Sequence, residues 1–582
     1  MSTLKKHPVT TRWHRQAFEL RFLTMKPSLL FLVYAGHLTC AFAASTIEPP
    51  REAENAIDKD GLLQHIKALS SDKFEGRAPG TKGEDLSVQY IVEQYKKLGL
   101  KPGNPNGTYT QEVPMAGILT KPTCNFTVDD KTLELRTPDD FVAFTQRLTP
   151  EIDVKDSDIV FVGYGIIAPE YGWDDFKGAD LKGKTLVFLI NDPPIPSPDD
   201  PSKLDDRMFK GKAMTYYGRW TYKYEIAAKE GAAAAIIVHE TIPAAYPWSV
   251  VANSNGKDDF VIDAADKNMN TVAVRSWITL QTAQKLFAAS GKTFDDLKKA
   301  ALSKDFRPVS LGAKASFVLQ NSIHTFKSHN VVAKLEGSDP QRRDEYVIYS
   351  AHWDHLGRDP KLKGDQIYNG ALDNASGVAS ILEIAQAFNK LPQPPPRSIL
   401  SLATTAEESG LLGAKYYAEH PLYPLDHTLA DINIDVVNPW GKTRDIEDIS
   451  YGNSTLDEMF AQAAQRQGRR AIPNSEPEKG HFFRADHFEL SKLGVPSLYP
   501  GSKPKDFIGR PPGYGQMKSD DYTQHHYHQV SDEVNPAWDF SGAVQDTQLL
   551  FDVGYQVANG DHYPTWLPGS EFKAKRDEMM MK

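Results

Sequence analysis

The chain has 582 residues, of which 40% are hydrophobic and 24% charged, so it reads as a globular protein too long for one compact core. The formal net charge is −10, and the first 43 residues contribute +5 through six Lys and Arg against Glu19, which leaves −15 on the rest. That acidic balance argues against nucleic acid as a partner, because phosphate binding needs clustered Lys and Arg.

Residues 1–43 read as an export signal. A basic stretch ends at Lys26, an apolar run covers Leu29 to Phe42, and Ala41-Phe42-Ala43 supplies a small-x-small cleavage pattern. The run falls short of the ~20 apolar residues that span a bilayer. The expectation is cleavage near Ala43, periplasmic or secreted localisation, and no stable membrane insertion afterwards. Translation from Met25 and lipid attachment at Cys40 are alternatives. Cleavage leaves Cys124 without a disulfide partner, so the fold must rest on its core or on metal.

From Asp60 to Leu100, apolar residues such as Ile66, Leu69, Ile91 and Leu98 recur at helical spacing. From about Met115 to Gln320 the pattern changes to strands between Pro- and Gly-rich loops, including 158–165, 184–190 and 232–238. His239-Glu240 lacks a second His at helical spacing and is read as a loop pair. From Asn330 onward strand, loop and helix alternate, with strands at 346–351, 398–403, 432–434 and 495–499. The expected fold is therefore α/β, a mostly parallel mixed sheet flanked by helices, with a β-rich insertion.

In open α/β sheets, functional residues gather at the carboxyl ends of strands. Here those ends deliver His352, the pair Glu407-Glu408, and Asp435. Asp373 sits in a loop before a helix, and His528 follows Tyr527 near the end of the domain. Two imidazoles and three carboxylates suit two zinc ions if one carboxylate bridges. A further carboxylate must stay free to take a proton from water, and consecutive glutamates suit that division. Each residue alone has an ordinary structural reading, since 373–377 could be only a helix cap and a Glu pair only a solvated face. Their joint occurrence at strand ends is the signal.

The segments Ser350-Ala-His-Trp-Asp-His355, Gly370-Ala-Leu-Asp-Asn-Ala-Ser-Gly377, Thr405-Ala-Glu-Glu-Ser-Gly410, Ile432-Asn-Ile-Asp435 and Tyr527-His-Gln-Val-Ser-Asp532 resemble metallopeptidase family 28, the co-catalytic di-zinc aminopeptidases. Leu69 to Arg77 and Gly80 to Glu84 resemble that family's N-terminal helices. The resemblance implies His352 and Asp435 on one zinc, Glu408 and His528 on the other, and Asp373 bridging. It implies Glu407 as general base acting on a metal-bridged water, Asp354 as the residue orienting His352, and Tyr527 as a stabiliser of the tetrahedral oxyanion. It also implies a cis peptide bond after Asp373. The middle segment resembles, more loosely, a protease-associated (PA) domain inserted in such peptidases. The expected organisation is a signal at 1–43, peptidase parts at 52–114 and 321–560, the insertion at 115–320, and a tail at 561–582.

The implied activity is an exopeptidase acting on peptide substrates from the amino end. A carboxypeptidase or dipeptidase on the same scaffold would need cationic groups, for which Arg484 and Arg510 are candidates. His525 and His526 could be ligands in another register. A one-metal glutaminyl cyclase and a non-catalytic receptor-like homologue are further readings, weighed down by the complete ligand set.

Overall fold

The computed structural model describes residues 47–501 and 503–581. The expected signal at 1–43, with Cys40, lies outside them. After a one-turn helix at Arg51–Glu54 come helices Lys59–Leu69 and Lys82–Lys97. Each starts on a side-chain cap, because the first N–H groups of a helix have no partner within it. Asp58 accepts from the N–H of Asp60 and Gly61 at 2.8 and 2.9 Å, and Thr81 accepts from Gly83 at 3.1 Å. Between them, Asp72–Arg77 forms a short 3-10 turn.

Among the described residues, one hydrogen-bonded sheet of 14 strands runs through the molecule. At one end, Ser497–Leu498, Thr428–Asn433, Tyr346–His352 and Ser398–Thr404 lie side by side and parallel. The last three are buried along their whole length, which is why they read as unbroken apolar runs rather than alternating ones. Helices Ala375–Asn389 and Ser541–Asn559 pack against this part, and both are largely buried. Tyr349, fully buried in the central strand, donates its hydroxyl to the Leu550 carbonyl at 2.9 Å and ties the sheet to the second of these helices.

At the other end, Glu151–Phe161, Thr185–Leu189, Ala234–His239 and Val274–Thr279 are parallel to one another, and Phe141–Phe144 closes the edge antiparallel. They carry a separate apolar core that includes Phe161, Phe188, Ile236, Trp277 and Phe287. Cys124 is a buried free thiol within it. His239 is the last, buried residue of a strand rather than part of a loop, because its ring is enclosed by Tyr246, Trp248 and Trp277.

Two long strands join the two cores. Val309–Leu335 pairs with Glu151–Phe161 near its start and with Ser398–Thr404 near its end. Thr110–Val128 runs antiparallel beside it from Thr110–Val331 to Val128–Ala313. Positions 114/115 and 320/321 therefore fall within continuous strands. Such a ribbon carries backbone hydrogen bonds from one core to the other. No helix among the described residues is long and apolar enough to cross a membrane.

Candidate metal centre

The three parallel strands end on the same side of the sheet, and each delivers a side chain there. Tyr346–His352 ends on His352 itself; Ser398–Thr404 is followed by Glu407 and Glu408; Thr428–Asn433 is followed by Asp435. Asp373 enters from the turn before helix Ala375–Asn389, and His528 from a loop after helix Tyr514–His525. The peptide bond between Asp373 and Asn374 is cis, in line with the resemblance.

The side chains converge on two adjoining points. His352 Nε2 lies 3.3 Å from Asp373 Oδ1 and 3.4 Å from Asp435 Oδ1. His528 Nε2 lies 3.2 Å from Asp373 Oδ2 and 3.0 Å from Glu408 Oε2. Asp373 thus turns one oxygen to each group. Two ligands bound at about 2.0–2.1 Å from a tetrahedral ion lie roughly 3.3 Å apart, so both groups have the spacing of ligands around a common cation. The Nε2 atoms of His352 and His528 are buried without a hydrogen-bond partner, a state that a metal bond relieves. The residues present therefore fit a pair of divalent ions with nitrogen and oxygen ligands.

Charge points the same way. Burial lowers the His528 imidazole, yet Asp373 and Glu408 outweigh it and raise the group to about 10. His352 is raised well above the usual range, where Glu407, Asp354, Asp373 and Asp435 overcome burial. Burial, reinforced by Glu408, Asp435 and Asp486, pushes the Glu407 carboxyl well up. The cluster is a strongly negative, low-dielectric point that draws positive charge.

Several groups hold these side chains in place. Asn374 accepts the N–H of Gly377 at 2.8 Å and of Val436 at 3.1 Å, and donates to the Ile434 carbonyl at 2.9 Å, so the Asp373 and Asp435 loops are locked together. A Cβ on Gly377 would meet the Ile434 carbonyl at 2.3 Å, so only glycine permits this approach. Asp532 accepts the N–H of Leu372 and Asp373 at 3.1 and 3.0 Å. Arg77, fully buried, donates to the carbonyls of Leu69, Trp353, Asn369 and Gly370 and clamps the two ligand loops to the N-terminal helices. Ala406, Val436 and His528 all have positive φ, a strain of order 1–3 kcal/mol each that such packing sustains.

The expected roles find these positions. His352 Nδ1 donates to the backbone carbonyl of Asp354 at 3.2 Å, and the Asp354 carboxylate lies 3.7 Å away. That carboxylate instead accepts the N–H of Glu407 and Glu408. Glu407 stands 3.9 Å from His352, and among the described residues its carboxylate holds no hydrogen bond. Tyr527 is 44% exposed and stacks on His528 with ring centroids 3.9 Å apart. His525 pairs with Asp521, and His526 with the Ser531 carbonyl. Arg510 lies over the ring of Tyr514, beside a separate small cavity.

Two residues at the site had no role assigned from sequence. His355 is buried, with Nδ1 2.6 Å from Glu408 Oε1, and it completes a second possible ligand group with Asp373 and Glu408. The repeated His at 352 and 355 was a signal that could have marked it. Tyr499 has its hydroxyl pushed well up by burial and by the charges of Asp435 and Glu407, and nothing in its local sequence signals that.

Residues 330–551 match the family model for Peptidase family M28. The chain is 24% identical over 395 residues to the "probable leucine aminopeptidase 2" of Aspergillus oryzae, covering 67% of this chain and 61% of that protein. It is 32% identical over 131 residues to the mouse aminopeptidase NAALADL1, covering 22% of this chain and 16% of that protein. The solved aminopeptidase from Aneurinibacillus sp. strain AM-1 aligns over 88% of this chain and 97% of its own, at 21% identity and a TM-score of 0.47. The chain thus spans less than two thirds of the length of these two curated relatives.

Proposed function

We propose that this protein is an exported di-zinc exopeptidase that removes residues from the amino end of peptides. The observation that carries this reading is the split of Asp373, with one oxygen toward His352 and Asp435 and the other toward His528 and Glu408. His352 and Asp435 would hold one ion, Glu408 and His528 the other, with Asp373 between them. Zinc is the metal named for a Pyrenophora teres relative, a "Probable zinc metalloprotease" 38% identical over 108 residues. When bound, zinc would polarise the scissile carbonyl and make a nearby water more acidic.

Glu407 takes the proton from the attacking water and returns it to the leaving amine. Its carboxylate stands 3.9 Å from His352 and makes no hydrogen bond among the described residues, which leaves it free for that role. Asp354, through the backbone of Glu407, keeps the base aimed, and Tyr527 is proposed to donate to the developing oxyanion. The segment 115–320 is proposed as an inserted PA-like domain that walls the cleft, between peptidase parts at 52–114 and 321–560 and before the tail at 561–582.

The four carboxylates attract a substrate ammonium, which favours attack at the amino end. A free dipeptide, its N-acetyl form and its C-terminal amide test this. Cleavage of the free and amide forms, with loss on acetylation, is expected. Cleavage of the N-acetyl form with failure of the amide would overturn the direction and support a carboxypeptidase. That second reading is favoured by one observation: Arg484 lines the same cavity as Glu407.

A further inference from the structure

Away from the metal centre, two carboxylates are drawn to one short turn. Strand Asp445–Asp448 ends on Asp448, and helix Leu456–Arg466 carries Asp457 in its first turn. Asp448 is fully buried and Asp457 half-buried. One oxygen of each is anchored. Asp448 Oδ1 accepts the N–H and the hydroxyl of Ser450 at 2.9 and 2.8 Å, and Asp457 Oδ2 accepts the N–H of Gly452 at 2.7 Å. Those two N–H groups are two residues apart, so they lie within about 7 Å of each other.

The second oxygen of each, Asp448 Oδ2 and Asp457 Oδ1, is shut off from solvent and has no hydrogen-bond partner among the described residues. A carboxylate oxygen in that state is costly unless a cation or a proton meets it. The leading charges that act on the pair are negative: Asp457 and Glu447 on Asp448, and Glu458 on Asp457. Burial, and then Asp457, push the Asp448 carboxyl well up, and burial raises Asp457 to about 6. The anchoring N–H groups and the helix N-terminus at Asp457 work the other way and favour the ionised form. Glu447 is spent elsewhere, on the N–H of Ser475 at 2.6 Å. The donors at this turn are oxygens: two carboxylates, the Ser450 hydroxyl and backbone carbonyls. Such a set suits a hard cation. Ca²⁺ takes six to eight oxygens in flexible geometry and completes its shell with water, whereas zinc prefers nitrogen or sulfur among its ligands.

We infer that Asp448 and Asp457 form a Ca²⁺-binding site, separate from the centre at His352 and His528, in which the free oxygen of each carboxylate is a ligand. The turn between them ties distant parts of the chain together. The Ser450 hydroxyl oxygen accepts the N–H of Tyr499 at 3.0 Å. The Asn453 side chain accepts from Lys210 Nζ at 3.0 Å, and its carbonyl accepts the N–H of Leu567 at 2.8 Å. A cation between the two carboxylates removes their repulsion and braces this junction, so its effect is on stability rather than on the chemical step.

The test measures binding and stability, so it does not depend on turnover. Protein saturated with zinc, so that Ca²⁺ does not enter the other centre, is freed of calcium by dialysis and titrated calorimetrically with CaCl₂. Thermal unfolding is followed over the same range, and zinc content is checked before and after. One Ca²⁺ is expected to bind with a Kd of about 1 mM or tighter, the range of extracellular Ca²⁺ modules. The unfolding midpoint is expected to rise with Ca²⁺ concentration, as for any ligand that binds only the folded state. Asp448→Asn and Asp457→Asn should each weaken uptake about tenfold or more with zinc content unchanged. Asp457 is only half-buried, so its variant keeps the test decisive if Asp448→Asn fails to fold. No uptake up to about 10 mM, ten times the weakest expected Kd, would overturn the inference and leave a shared proton between the two carboxyls. Uptake unchanged in Asp457→Asn would place the ion elsewhere and overturn it equally.

Discussion

The carboxylate of Asp354 accepts the backbone N–H of Glu407 at 3.1 Å, and its second oxygen lies 3.4 Å from that of Glu408. The residue two positions after His352 thus sets the backbone that carries both glutamates. In Asp354→Asn, an NH₂ group replaces one acceptor and faces a donor. Metal affinity or kcat should fall by about 10–100-fold, as for other groups that position ligands. Metal analysis and steady-state rates check this; unchanged values would confine Asp354 to a packing role.

On the proposed di-zinc reading, Glu407→Gln should keep the metal content of the wild type and lose about 10²–10⁴-fold in turnover, because the amide has the same shape but cannot take a proton. Glu408→Gln should instead lose metal, since Glu408 is 3.0 Å from His528 within one of the two groups. Inductively coupled plasma analysis of both variants separates the roles. Near-wild-type turnover of Glu407→Gln would assign the base elsewhere.

Arg77→Lys should destabilise the protein by more than about 3 kcal/mol. A lysine cannot reproduce a fork that meets four buried carbonyls, and buried acceptors left unmatched cost about 1–3 kcal/mol each. Because Arg77 joins the His352 and Asp373 loops, metal affinity should fall with stability. Urea unfolding with and without added zinc reads both quantities, and a variant of wild-type stability would contradict the clamp.

His487 is fully buried, and burial pushes its imidazole down to about 3. His481 nearby is held down to about 4 by burial and by Lys503. In the unfolded chain both take up a proton near pH 6.5. The unfolded state then binds more protons, so the stability these residues contribute is intact above pH 6.5 and is lost as pH falls toward 4. Urea midpoints from pH 8 to 4 should decline, and His487→Phe should flatten that decline. An equal slope in the variant would show that His487 does not titrate on unfolding.

The local order of the chain was legible from the sequence, because it follows from short-range patterns. Unbroken apolar runs at 346–351 and 398–403 are parallel strands buried on both faces, and residues at helical spacing after Asp373 form helix Ala375–Asn389. Parallel strands bring their carboxyl ends to one side, so the sequence also pointed to His352, Glu407, Glu408 and Asp435 as neighbours. Only the tertiary structure decided the rest. Arg77 reaches carbonyls nearly 300 residues away, Asp354 turns its carboxylate to the glutamate backbone rather than squarely to His352, and His355 meets Glu408. Arg219 enters the Glu407 cavity from a distant segment through the strands Thr110–Val128 and Val309–Leu335, which carry the sheet from one core to the other. Hydrogen-bond partners and unmatched charges depend on which backbones approach within about 3 Å, and chain periodicity records elements rather than those approaches.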